Sequence, residues 1–450
     1  SLLPPLPTSL AAAMNSFNRR AFLGTTLGGA AALSVGRAAA APELAPAPRK
    51  LDDTPTNLGP QDTLFLTYSG DPTTSVTVQW IGPAIAAPTF VRHVTRTGTV
   101  WTQTPVATRP FPKTILKVHR AEVTGLTPGT EYLLQVGTLP QVHRFRTMPA
   151  KATDTFTFVS GGDCGVNAHA VANNILAAKQ EPHFAFIGGD LGYDNGTSAS
   201  AALGFVRNYA KHMIDPKGRL IPLVTCLGNH EVKGGYKGKR EDATFFFPLF
   251  DGRYKDTTYA ALDFGDYLSL VLLDTGHVSP IKGAQTDWLE TALRQRAERP
   301  HLIAANHVPA YPSFRPAKVT VPGAGILDIF KIPASAGTGE DNRKFWCPLF
   351  ERHGVDAVLE HHDHTFKRTF PLTDGLRNKY GVPYLGDGSW GQLRAPSPAE
   401  KRPYLASVGK AYHFTVHKLE GDQRFHVALD ESGRVADVCG STGKRPAKRG

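Results

Sequence analysis

Two kinds of hydrophobic pattern divide this chain. From about Leu64 to Thr147 the apolar residues come in short alternating runs. Val76, Val78 and Trp80 alternate with Thr77 and Gln79, and a second strand-like run spans Thr114 to Val123. A period of two marks β-strands, and no helical period interrupts it. Leu126-Thr127-Pro128-Gly129-Thr130-Glu131-Tyr132 reads as a turn entering a strand, with Tyr132 where a tyrosine corner would sit. The run Phe145-Arg146-Thr147-Met148-Pro149 closes the segment. An all-β, fibronectin type III-like sandwich is predicted over residues 60–150.

Beyond Asp154 the pattern changes to strand, loop, helix. Phe156–Val159, Phe184–Ile187, Leu268–Leu273, Leu302–Ala305 and Ala357–Leu359 are short apolar runs suited to buried strands. Helices are predicted at Ala168–Lys179 and Gln285–Arg296, the second with Trp288, Leu289, Ala292 and Leu293 on one face. Such alternation predicts a layered α/β domain over residues 151–430, with ligands bound outside the carboxyl ends of the strands. A basic tail, 431–450, follows and carries Lys444, Arg445, Lys448 and Arg449.

The amino end reads as targeting sequence. Ser1 to Ala13 precede Met14, and Arg19-Arg20 then lead a weakly apolar stretch from Ala21 to Val35 that ends in four alanines, Ala38 to Ala41. Charged start, apolar middle and small-residue end make an export signal over 1–41, resembling the twin-arginine type and implying a periplasmic or secreted protein. A Pro-rich linker, 42–59, joins it to the sandwich. No run of about eighteen apolar residues occurs, so no integral membrane segment is expected once the signal is removed.

Composition narrows the chemistry. The 450 residues carry a formal net charge of +11. A basic balance favours anionic ligands, and a small phosphate ester qualifies as well as nucleic acid does. No basic run is interleaved with stacking aromatics, so nucleic acid is not expected as a partner. The four cysteines (Cys164, Cys226, Cys347, Cys439) are too scattered for a disulfide scaffold and include no CxxC pair. Cys164 is read as a small buried hydrophobe.

The polar residues that end the predicted strands are the informative ones. The first strand runs into Gly162-Asp163-Cys164-Gly165 and the second into Gly189-Asp190-Leu191-Gly192-Tyr193. Leu223 to Leu227 runs into Gly228-Asn229-His230-Glu231, a later strand into Asn306-His307, and the last into His361-His362-Asp363-His364. Neighbouring glycines let the backbone turn sharply there. Oxygen and nitrogen donors without thiolate suit hard or borderline cations such as Fe, Mn and Zn. The set exceeds the four ligands of one tetrahedral zinc, and a carboxylate can bridge two cations.

The order Asp-x-Gly, Gly-Asp-x-x-Tyr, Gly-Asn-His-Glu, x-x-His and His-x-His resembles the calcineurin-like metallophosphoesterases. Tyr193 in the second motif, with the sandwich in front, makes the chain similar to the purple acid phosphatases over roughly Leu64 to Val427. That resemblance implies a metallophosphoesterase sandwich of two β-sheets flanked by helices. It also implies a dinuclear centre: Asp163, Tyr193 and His364 holding Fe(III), Asn229, His307 and His362 holding a divalent ion (Zn, Mn or Fe), and Asp190 bridging. Hydroxide formed on the metals would attack phosphorus in line, with His230 protonating the leaving group. The activity implied is an acid phosphatase. The alternatives are a phosphodiesterase or nucleotidase of the same superfamily, or a non-catalytic surface binding protein.

Two positions depart from the family. His361 stands where the last motif usually begins with glycine. The plant-like enzymes carry histidines nine or ten residues beyond the His307 equivalent, and the segment from His307 to Pro316 has none. Tyr311 and Arg315 are the candidates there for a phosphate contact, set against a plain structural role.

Overall fold

The computed structural model describes residues 58–152, 155–317 and 337–443. The segment 1–41 expected to be an export signal, the expected linker up to residue 57 and the basic residues 444–450 lie outside them. No helix among the described residues is long and apolar enough to cross a membrane.

The alternating segment folds into two antiparallel four-stranded sheets. One orders Phe65–Thr67, Val76–Gly82, Lys117–Val123 and Ala107–Pro110; the other orders Thr102–Pro105, Phe90–Thr95, Glu131–Val136 and Val142–Arg146. Val78, Trp80 and Ala121 on one sheet and Val91, Leu134 and Phe145 on the other are buried, each set on one face of its sheet. Tyr132 does sit at a corner: its Oη accepts the N–H of Thr127 at 2.9 Å while its ring stacks on Phe145. Thr77 and Gln79, on the polar side of the alternation, are as buried as their apolar neighbours. The reason is a second partner. The Gln79 side-chain amide donates to the Leu249 carbonyl at 2.9 Å, and Phe65 and Phe111 pack on Phe250 and Phe245 of the following domain.

That domain is two mixed sheets with helices. The first sheet orders Leu223–Thr225, Ala185–Ile187, Phe156–Gly161, His413–Glu420, Gln423–Asp430 and Val435–Thr442. The second orders Ala260–Phe264, Leu268–Leu273, His301–Asn306, Ala357–Glu360, Tyr384–Asp387, Phe366–Thr369 and Leu405–Gly409. The strands that end in polar motifs run parallel to one another within each sheet. Rings bridge the sheets, with Phe184 stacked on Phe158 at 4.8 Å and on Phe264 at 4.6 Å. Offset and stacked aromatic pairs add to burial, so this seam helps hold the two sheets together.

The helices Ala168–Ala178 and Ala284–Gln295 lie where the sequence placed them, and Leu289, Ala292 and Leu293 face the core. A third, Ala199–His212, starts where the Ser198 hydroxyl accepts the Ala201 N–H. The stretch expected as a tail from 431 is instead part of a sheet as far as Thr442. Val438 pairs with Val427, and Asp437 takes an ion pair from Arg368 at 2.6 Å. This edge strand is largely exposed, so backbone pairing holds it and no apolar alternation announces it.

His361 is a packing residue. Its ring lies edge-on to Phe186, and Nδ1 sits 3.0 Å from the Asn306 carbonyl. It fits because Gly162 and Gly188 have no side chains; a Cβ on Gly188 would overlap the imidazole. Gly188→Ala should therefore overpack the metal-free protein and destabilise it by about 1–3 kcal/mol. In a His361→Gly background the same change should cost less than about 0.5 kcal/mol, the ordinary range for a substitution meeting no such feature. Paired denaturant melts measure both. Equal losses in the two backgrounds would show that the overlap is relieved elsewhere.

Candidate metal centre

Five strand ends from the two sheets deliver two groups of donors. In the first, Tyr193 Oη lies 3.1 Å from Asp163 Oδ1 and 3.1 Å from His364 Nε2, and those two atoms are 3.0 Å apart. In the second, His307 Nε2 lies 3.1 Å from Asn229 Oδ1, 3.0 Å from His362 Nδ1 and 3.4 Å from Asp190 Oδ2. One ligand atom each from Asp163, Asp190, His307 and His362 falls within 4.8 Å of the others, which joins the groups. All four residues are buried.

The backbone is bent to achieve this. Asp163, Asp190, His362 and His364 all have left-handed φ, between 53° and 70°. Each such residue costs roughly 1–3 kcal/mol unless its surroundings hold it there. Two carboxylates outside the donor groups do the holding. Glu231 accepts three backbone N–H groups, from Asp190, Leu191 and Gly228, at 2.7, 2.7 and 2.8 Å. Asp363 accepts the N–H of Phe314 at 2.8 Å, the N–H of Ser313 and the guanidinium of Arg315. The first clamp fixes the Asp190 and Asn229 turns together. The second ties the His-x-His turn to the chain beyond His307.

Charge explains the rest of the arrangement. Burial opposes the Asp190 charge, yet His307, His230 and His362 hold its carboxyl far below the usual carboxylate range. Burial also opposes a charge on His307, but the Asp190 carboxylate overrides it and raises the imidazole to about 9. His362 goes the other way, pushed well down by burial and by charged His307. Without a cation, then, His307 Nε2–H faces an amide oxygen, an imidazole lone pair and a carboxylate. A cation in place of that proton would meet the same acceptors together with the freed His307 nitrogen. Asp190 Oδ2 is buried and has only the long 3.4 Å approach of His307 Nε2, an under-satisfied acceptor that a cation would satisfy. Burial and the Asp190 charge push Glu231 up to about 8, against its three N–H donors.

His230 stands beside both groups. Its Nε2 is 3.9 Å from Asp190 Oδ2, its ring lies 4.2 Å from that of Tyr193, and a quarter of its side chain is exposed. Burial lowers its basicity.

All eight residues singled out in the sequence thus come together. Of the other candidates, Tyr311 is buried among Tyr384 and Tyr404 and faces the core, so it is no phosphate contact. Arg315 donates to the His362 carbonyl and to Asp363, an anchoring role. Cys164 is buried, with its thiol pushed up by burial. The sequence reading gave no role to Glu231, Asp363 or Tyr236, whose hydroxyl lies 3.2 Å from His362 Nε2. Glu231 closes a quoted motif and Asp363 sits between two ligand candidates, so both were in view; nothing in the sequence signals Tyr236.

The sequence matches the family description "Purple acid Phosphatase, N-terminal domain" over residues 62–159 and "Calcineurin-like phosphoesterase" over 155–366. It is 26% identical to acid phosphatase type 7 of Homo sapiens over 350 residues, 72% of this chain and 76% of that protein. It is 22% identical to purple acid phosphatase 13 of Arabidopsis thaliana, over 61% of this chain and 54% of that one. A purple acid phosphatase isolated from yellow lupin (Lupinus luteus) seeds shares the fold, with a TM-score of 0.67 and 18% identity over 84% of this chain and 74% of its own. PhoD does so at a TM-score of 0.57 and 12% identity, over 86% and 90%. Such a fold implies a dinuclear metal centre, and a buried Asp/His cluster is present. The chain is a purple acid phosphatase-like member of the calcineurin-like metallophosphoesterases.

Proposed function

We propose that this chain is an exported hydrolase of phosphoric monoesters working with two metal ions. Asp163, Tyr193 and His364 would hold Fe(III), since phenolate and carboxylate are hard donors. Asn229, His307 and His362 would hold a divalent ion (Zn, Mn or Fe), and Asp190 would be shared. One observation carries the reading: Asp190 Oδ2, buried with only the long 3.4 Å approach of His307 Nε2 to satisfy it, belongs to a carboxylate within 4.8 Å of donors from both groups. Export rests on the twin-arginine run at Arg19-Arg20.

When bound, such a metal pair makes water nucleophilic near neutrality and neutralises charge on the phosphate. The chain's own residues supply the rest. Gly188 accepts a hydrogen bond from His307 Nδ1 at 2.8 Å, which fixes the ring and leaves Nε2 for the cation. Asp163 Oδ2 accepts the His362 N–H at 2.8 Å, tying the two donor groups through backbone. His230, a quarter exposed beside both donor groups, would give a proton to the departing alkoxide.

One observation also favours a diester reading. The segment after His307 is consumed in anchoring, through Tyr311 in the core and Arg315 on the His-x-His turn. It offers no imidazole to the outer oxygens of a dianionic monoester. Metal analysis of the purified protein, with rates for paired mono- and diesters, tests both readings together.

Asp190→Ala should remove both metals and lower activity by more than the ~10–100-fold that follows from disturbing an outer partner of a ligand. A variant retaining a full equivalent of each metal would refute the shared carboxylate.

His230→Ala should leave metal content unchanged and separate substrates by leaving group. General acid catalysis is worth ~10²–10⁴-fold. An alkyl phosphate, whose alkoxide needs the proton, should lose that much in kcat, and an activated aryl phosphate far less. Equal losses for the two esters would reduce His230 to a positioning residue.

A further inference from the structure

Tyr236 stands on the loop that follows the Gly-Asn-His-Glu motif, and no role above accounts for it. Its Oη lies 3.2 Å from His362 Nε2, while the other nitrogen of that ring, Nδ1, faces His307 Nε2 at 3.0 Å. Nδ1 is thus the nitrogen turned toward the donor cluster. A histidine can give a cation a lone pair from one nitrogen only if the proton sits on the other, and a partner for that proton fixes which is which. Tyr236 Oη is the partner at that distance.

The loop is built to hold the hydroxyl in place. Gly234 and Gly235 take φ of 83° and 80°, which turn the chain so that Tyr236 lies over His277, ring centroids 4.9 Å apart. His277 is buried, and its Nδ1 donates to the Gly235 carbonyl at 2.8 Å. Lys237 N–H donates to Gly276 at 2.9 Å and Gly238 N–H to His277 at 2.8 Å. On its other side His277 Nε2 meets Thr275 Oγ1 at 2.9 Å, and that oxygen accepts the N–H of Val308, the residue after His307. One strap therefore runs from the His307 backbone through His277 to Tyr236 and His362.

We propose that Tyr236 is a positioning residue for the divalent-ion site: its hydroxyl accepts the His362 Nε2–H and so keeps the Nδ1 lone pair aimed between His307 and Asn229. This rests on the reading of Asn229, His307 and His362 as ligands of one cation. The hydroxyl is also part of a residue 44% exposed at the edge of the site, so a direct contact with substrate is the competing role.

Tyr236→Phe keeps the ring on His277 and deletes only the oxygen. Metal-stripped wild type and variant would be titrated with Zn(II) alone, without phosphate, by calorimetry. The ¹⁵N shifts of His362 in the metal-free proteins would be recorded alongside. Expected are one Zn(II) site weakened ~10–100-fold, the size typical of losing an outer partner, a second site unchanged, and a moved His362 Nε2 shift as its proton loses its acceptor. The metal-free melting temperature should stay the same, which excludes a folding defect as the cause. Unchanged Zn(II) binding with a raised KM would overturn the proposal in favour of substrate contact. Unchanged binding and an unchanged His362 Nε2 shift with no kinetic effect would overturn it outright. A wild type that takes up no Zn(II) would overturn the metal-site reading itself, a failure distinct from both.

Discussion

Asp163 and Asp190 place carboxylate oxygens within 4.8 Å of each other in the interior, at 0% and 1% exposure. Two like charges so close cannot both ionise in a low-dielectric site without compensation. Much of this domain is organised around supplying that compensation. Imidazoles from two further strand ends face Asp190, and its other oxygen accepts the His230 backbone N–H at 2.8 Å. In the absence of cations His307 carries a proton that offsets the charge, at the cost of burying an imidazolium. Cations would do the same with more charge in the same place. Because the ligands must be deprotonated, metal binding here would displace protons and be coupled to pH.

Compensation requires donors to converge, and convergence strains the backbone. Four donor residues occupy left-handed φ, a region where a non-glycine side chain is uncomfortable. Glu231 and Asp363 answer this by gathering N–H groups from turns distant in sequence. Their carboxylates never enter the donor groups, yet each sets where a turn ends. Another buried pair works one step further back. Lys367 donates to Glu360 and to the Tyr311 carbonyl, and Glu360 accepts the Ala310 N–H at 2.6 Å. The strand carrying His362 and the segment beyond His307 are thereby held in register.

The centre was legible in the sequence because each donor lies shortly after a strand's carboxyl end, and Asp163, Asp190, Tyr193 and Asn229 each follow a glycine. The apolar runs gave the strands, and the polar residue after each run gave the ligand candidate. What escaped was tertiary. His361 beside two ligand candidates looks like a third, and only the glycine-lined space between Gly162 and Gly188 makes it a packing residue. Tyr311 and Arg315 looked equivalent, yet burial sends one to the core and Asp363 draws the other to an anchor. The Val435–Thr442 strand was missed because an exposed edge strand needs no alternation. Thr77 and Gln79 show the converse, a polar face buried by a neighbouring domain that no local pattern reveals.

The anchoring also decides where specificity can reside. Val308 O accepts the Asn306 and Asn342 side-chain amides, Ala310 N–H goes to Glu360, and Ser313, Phe314 and Arg315 go to Asp363. Residues so engaged cannot turn outward toward a substrate without loosening the His362 turn. The loop after Gly-Asn-His-Glu is under a different constraint. Its backbone is pinned at Lys237 and Gly238, but Lys233, Tyr236, Lys237 and Lys239 are exposed. Three lysines on the strap that reaches His362 add positive charge on that side, the sign that draws in phosphate esters. In this chain, therefore, the segment after His307 serves as scaffold, and the loop after Gly-Asn-His-Glu is the neighbour of His362 that keeps side chains exposed to solvent.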